Sequence, residues 1–211
     1  MKENKIILLS AFLLILGIAF RSQAGQQNSE LPQTHPKIAI KDSTITIGDT
    51  VVWMGGKFED WERALPKGAR CSAMRKGMKL CIWDELGLEL GSDMADFERV
   101  EFIRITLKHR PQTLSRDENP WAPRGIFHGE LEIDSFRIDA DTEFRRIGQN
   151  TSRKRELTCG GHYCGRPYGL FNSVAQISFR LDSNHDRGRV TDFAISCEST
   201  VSCRKLIPNE N

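Results

Sequence analysis

The sequence predicts an α+β fold: a duplicated unit whose antiparallel sheet, or pair of sheets, carries short helices packed on one face. Three observations predict it. Extended runs with alternating apolar residues recur along the 211 residues, short segments with helical spacing fall between them, and the order strand, strand, helix, strand occurs twice.

The first unit is read from residues 37 to 108. Thr44-Ile45-Thr46-Ile47 alternates, Gly48-Asp49 marks a turn, and Thr50 to Met54 resumes an extended run, which together predict a hairpin. Phe58, Trp61 and Leu65 recur at helical spacing before Pro66 and Gly68 stop the segment. Leu80–Trp83 and Leu86–Leu90 flank Asp84-Glu85 as a second hairpin, and Val100–Leu107 reads as a long central strand. Residues 109 to 124 hold three prolines and many polar groups, so they read as a connection.

The second unit, residues 125 to 207, begins the pattern again. Leu131-Glu132-Ile133 alternates, Asp134-Ser135 turns, Phe136–Ile138 extends, and Asp141–Ile147 fits a short helix with Phe144 and Ile147 on one face. Val174, Ile177, Phe179 and Leu181, then Val190, Phe193, Ile195 and Cys197, repeat the spacing of the first unit's strand.

Ahead of both units, Lys2 and Lys5 precede an apolar run from Ile6 to Phe20, and small residues follow at Ser22 and Ala24. That is the pattern of a signal peptide over residues 1 to 24, cut before Gly25, and the run is short of the roughly 20 residues a membrane-spanning helix needs. Residues 25 to 36 read as a flexible leader. Loss of the signal removes Lys2, Lys5 and Arg21 but only Glu3 among the acids, which cancels the whole formal charge of +2. A neutral chain lacks the basic field that nucleic-acid binding draws on. The expected location is the periplasm or the exterior, with no membrane span after cleavage.

An even number of cysteines in an exported chain argues for disulfides. Neighbours are the expected partners: Cys71 with Cys81, Cys159 with Cys164, and Cys197 with Cys203, each pair bracketing a short segment rich in Gly, Ser or charge, and the first two falling between helix and strand. No Cys-x-x-Cys spacing supports zinc, and no cofactor motif is present.

Trp61, the stretch Ile82-Trp83-Asp84-Glu85-Leu86-Gly87, and Phe127-His128-Gly129-Glu130-Leu131-Glu132-Ile133-Asp134 resemble a set of uncharacterised bacterial secreted proteins. These share a Trp-Asp-x-x-Gly hairpin and a later Phe-x-Gly-x-Leu-x-Ile-Asp strand. The resemblance runs from about Thr44 to Leu181, departs at Ser135 where the pattern has Gly, and implies no established activity. It is compatible with the α+β layout.

The chain carries no nucleophile elbow, zinc-protease pair or phosphate-cradling loop. The five histidines are scattered, and a catalytic pair would need His128 or His162 with a carboxylate such as Asp134. Asp182-Ser183-Asn184-His185-Asp186-Arg187-Gly188 places oxygen side chains at alternate positions, but Arg187 stands where a calcium loop requires Gly. A polar hairpin tip explains the same residues without metal, so no metal site is assigned. Trp83, Asp84 and Trp121 are the candidate binding residues, because Trp is favoured at recognition hot spots. The expected function is a non-catalytic binding protein of the bacterial envelope with a protein partner, such as an inhibitor, immunity factor or assembly factor. The alternative is a small periplasmic hydrolase with a His/carboxylate site.

Overall fold

Strand alternation governs the architecture, because almost every apolar residue it turns to one side finds another strand there. The computed structural model describes residues 35–41, 44–73, 78–92, 98–109, 121–150, 158–167, 175–184, 187–197 and 207. Residues 1–34, which hold the expected signal peptide and nearly all of the expected leader, lie outside the described residues.

A five-stranded sheet has the order β3-β2-β1-β8-β9. Its strands are β1 (Lys37–Lys41), β2 (Thr44–Ile47), β3 (Thr50–Val52), β8 (Glu130–Ile133) and β9 (Phe136–Ile138). An eight-stranded sheet has the order β10-β11-β12-β13-β7-β6-β5-β4. Here β4 (Arg70–Ala73), β5 (Lys79–Trp83), β6 (Leu88–Gly91) and β7 (Phe102–Thr106) form one meander. A second comprises β10 (Thr158–Gly160), β11 (Tyr163–Pro167), β12 (Ala175–Leu181) and β13 (Val190–Cys197). The meanders join where β13 pairs with β7, Phe193 opposite Ile105 and Ile195 opposite Ile103. In the smaller sheet β1 runs antiparallel to β2 and parallel to β8.

Ile38, Ile40, Ile45, Ile47, Leu131 and Ile133 from the small sheet share one buried cluster with Leu88, Leu90, Ile103, Ile105, Ile177, Phe179, Phe193 and Ile195 from the large one. The two sheets therefore enclose a single core, the arrangement of a β-sandwich. This corrects the α+β expectation with helices packed on one face. The helices α1 (Phe58–Ala64) and α2 (Phe144–Asn150) are each seven residues long and carry the chain from the small sheet to the large one. Phe58 and Trp61 of α1 and Phe144 and Ile147 of α2 are buried in the same cluster. The Trp61 indole N–H donates to the Trp53 carbonyl at 3.1 Å, and α1 stops where Leu65 turns extended before Pro66. Four strands absent from the sequence reading, β1, β4, β10 and β11, widen the two sheets until each covers the other, and no helical layer is needed.

The cysteine pairs Cys71–Cys81 and Cys159–Cys164 are disulfides. Their place differs from the expected loop staple. Cys71 lies directly opposite Cys81 across β4 and β5, and Cys159 opposite Cys164 across β10 and β11, with Cα atoms 4.0 and 4.1 Å apart. Since β4 and β10 are the outermost strands of the large sheet, each edge is tied covalently to its neighbour. Cys81 and Cys164 are fully buried and face the core. Cys197 is also disulfide-bonded, while Cys203, its expected partner, lies outside the described residues.

Candidate functional site

The sequence candidates Trp83 and Asp84 meet at the turn between β5 and β6, a 3-10 turn over Asp84–Leu86. Trp83 is buried and its indole N–H donates to the Pro66 carbonyl at 2.8 Å. Asp84 accepts from Arg70 Nε at 2.6 Å and from the Arg124 backbone N–H at 2.9 Å. Its carbonyl accepts from Gly125 N–H at 2.7 Å, and Arg70 also donates to the Ala122 carbonyl at 2.8 Å. Gly87 closes the turn with φ of 61°. The Trp-Asp-x-x-Gly pattern thus anchors the 121–127 segment against the large sheet. Trp121, at the start of that segment, is 42% exposed.

Other candidates are dispersed. His128 is exposed before β8, its ring 5.5 Å from that of His35, and His162 is exposed in the turn between β10 and β11. Asp182 accepts from the Arg189 backbone N–H at 2.9 Å and from Lys108 Nζ at 3.3 Å. Burial would raise its carboxyl pKa, but these bonds outweigh it and hold the group below the usual range. His185 and Asp186 lie outside the described residues. Among the described residues Glu62, Cys71 and Cys81 bring ligand atoms within 4.8 Å of one another, but both sulfurs belong to one disulfide.

The site with the most converging chemistry lies on the outer face of the large sheet, and it was missed from sequence. Successive strand residues point to opposite faces. With Ile103, Ile105, Phe179, Phe193 and Ile195 turned inward, Phe102, Arg104, Ser178, Arg180, Asp192, Ala194 and Ser196 turn outward. Together with Tyr163 they line a cleft of about 280 Å³. Its floor is low because small residues adjoin: Ser178 lies opposite Ala194, and Ser196 is two residues along β13. Arg104 sits across from Ala194, Phe102 across from Ser196, and Tyr163 across from Arg180. The Phe102 ring lies over Gly91, where even a Cβ would come within 1.8 Å of it.

Two carboxylates support this face from below its surface. Glu89 is 3% exposed and accepts from Arg104 Nη1 at 2.9 Å. Asp192 is 9% exposed and accepts from the hydroxyls of Thr106 at 3.2 Å and Thr191 at 2.9 Å. Burial pushes the Glu89 carboxyl above its ordinary pKa, Arg104 offsets part of this, and the charge of Asp192 adds to it. Asp84 is shifted the other way: burial alone would raise it, but Arg70 and the Arg124 N–H hold it below the usual carboxylate range.

The two shifts act on stability with opposite signs. The contribution of Asp84 is present above its unfolded pKa, near 3.8, and is lost as pH falls through the depressed folded value. Glu89 binds its proton more tightly when folded, so its contribution declines as pH rises from about 4.5, the unfolded value. In urea unfolding as a function of pH, Asp84→Asn is expected to remove part of the loss below pH 3.8. Glu89→Gln is expected to flatten the decline that begins near pH 4.5.

The fold and the cleft define a β-sandwich, tied by disulfides at both edges of its larger sheet, with a guanidinium-lined recess on one outer face. The chain belongs to the family of a domain of unknown function (DUF7738), whose model matches residues 37–148. No curated protein and no solved structure matches the chain. The family match ends inside α2 and so leaves out the meander β10 to β13 that completes the large sheet. Of the cleft, only Phe102 and Arg104 fall within it.

Proposed function

We propose that this chain works outside the cytoplasm as a non-catalytic binding protein of the bacterial envelope, an inhibitor, immunity factor or assembly factor, with the cleft as its recognition site for a protein partner. The observation that carries the reading is the recess itself, where two guanidiniums and two aromatic rims surround a floor of small residues. The two disulfides support a stabilised exported protein, and no helix among the described residues is long and apolar enough to cross a membrane. The signal pattern of residues 1 to 24 supports export through cleavage before Gly25. The shared order of hairpin, helix and four-stranded meander in the two halves supports descent from one duplicated unit.

Affinity capture from an envelope extract tests the binding reading when wild type is compared with Ala194→Trp, which fills the recess from its floor. The wild type is expected to retain a protein that the variant, folded to the same circular dichroism, releases. Equal retention would remove the cleft from the reading, and no retention by either would remove the binding role.

One observation favours the hydrolase alternative: burial keeps a proton on Glu89 to higher pH beside Asp192, the condition a general acid needs. His128 and His162, on which that alternative rested, are exposed elsewhere.

A further inference from the structure

We infer that the cleft takes a carboxylate side chain of the partner protein, presented beside an apolar or aromatic residue. This rests on the reading of the cleft as the recognition site and adds the chemistry of what enters it. The argument is an inventory of donors and acceptors. Glu89 is buried against Arg104, and Asp192, which lines the recess, accepts from the hydroxyls of Thr106 and Thr191. What the lining turns toward solvent is rich in donors. The Arg104 guanidinium spends one N–H on Glu89, and a guanidinium has five to give in a planar fork that suits carboxylate. The hydroxyls of Ser178, Ser196 and Tyr163 line the same recess, as does Arg180. The Arg104 guanidinium can only donate, and the three hydroxyls can turn their protons toward the same guest, so the recess can surround a carboxylate with donors.

Size and rims narrow the choice to a side chain of a larger body. At about 280 Å³ the recess lies just below the range of pockets that enclose a whole small molecule, roughly 300 to 1,000 Å³. It opens on the broad face of a sheet, so a group protruding from a surface can reach it. Phe102, with the Arg104 guanidinium 5.9 Å from its ring centroid, and Tyr163, 48% exposed, stand at opposite sides. They offer apolar area to the residue next to the carboxylate. A sugar acid would share the anion but would bring no apolar side chain for the two rings to cover.

The probe is a blocked tripeptide with glutamate between two phenylalanines, titrated into the whole mature protein and followed through the backbone amide signals of Ser178, Ala194 and Ser196. Saturating shifts at these amides in the roughly millimolar range or below are expected, with the glutamine counterpart at least about tenfold weaker. Arg104→Gln is expected to weaken the glutamate peptide by a similar factor. Because that change leaves Glu89 without its cation, Tyr163→Ala serves as the second variant, and it is expected to weaken both peptides through lost ring contact.

Equal binding of the two peptides, no shift at about 10 mM, or tighter binding of glucuronate than of the peptide would overturn the inference. If Ala194→Trp still releases a captured partner while the peptide fails, the recognition site stands and only its carboxylate specificity falls. If capture itself fails, the broader reading falls with it.

Discussion

Replacing Trp83 by alanine is expected to lower the free energy of unfolding by about 4 kcal/mol, the range for deleting a large aromatic from a packed core. Trp83 is 4% exposed and lies opposite Leu88 in the large sheet, within the shared apolar cluster. Truncation opens a cavity there and also strips the Pro66 carbonyl of the indole donor at 2.8 Å, a smaller further loss. For a chain of this size a kcal/mol corresponds to roughly 2 to 4 °C, so melting should fall by about 8 to 16 °C. Calorimetry on the purified variant measures the drop. A melting point within a degree or two of wild type, together with lost partner binding, would instead make Trp83 a contact residue.

Gly87→Ala is expected to cost about 3 kcal/mol from two separate sources. At φ of 61° an L side chain meets its own backbone, which accounts for roughly 1 to 2 kcal/mol. The added Cβ would also stand 2.7 Å from the Phe127 nitrogen and 2.8 Å from the Ile126 carbonyl carbon. These are backbone atoms of a segment pinned by the bond from Phe127 N–H to the Thr106 carbonyl. Relieving the clash moves that segment, at the cost usual for overpacking, about 1 to 3 kcal/mol. Gly48 supplies the control. Its φ of 58° is the same, but nothing lies within 4 Å of its Cβ position, so Gly48→Ala should show the conformational cost alone. Urea titrations of the two variants separate the terms, and equal losses would show that contact with Phe127 contributes nothing.

Most strands were legible because each turns one apolar face to a core. Thr44–Ile47, Val100–Leu107, Leu131–Ile138, Ile177–Leu181 and Val190–Cys197 all alternate in sequence and contain strands of the structure. The strands β4, β10 and β11 gave no such signal, because the inward residues they share with their neighbours are cystines rather than branched aliphatics. Cysteine was read as a crosslink between loops, while in the fold Cys81 and Cys164 also serve as core side chains. Ile38 and Ile40 do alternate, but Pro36 and the polar leader beside them suggested only where the domain starts. With these edge and linking strands missing, the two 7-residue helices were assigned a covering role that the opposite sheet fills.

The cleft was illegible for a different reason. That Arg104 and Asp192 point away from the core follows from alternation within their own strands. That Arg104 stands beside Ala194 requires the pairing of β7 with β13, which joins distant parts of the chain and leaves no local trace. Trp83 and Asp84 were candidates for binding because tryptophan is favoured at recognition hot spots, yet the neighbours of Trp83 are core residues and those of Asp84 are Arg70 and the 121–127 backbone.

The two long-range pairings, β1 with β8 and β7 with β13, set the order in which this protein can assemble. While the first half alone has emerged from the ribosome, β1 and β7 each have an unfilled edge and the inward faces of both sheets have only part of their cover. Closure waits until residues 190–197 have been made. Contacts of such high sequence separation slow folding, so a nascent chain of this topology stays open until β13 is available to β7. The two edge cystines are not bound by that delay: each joins strands adjacent in sequence, so either edge can be tied before the two halves of the large sheet meet.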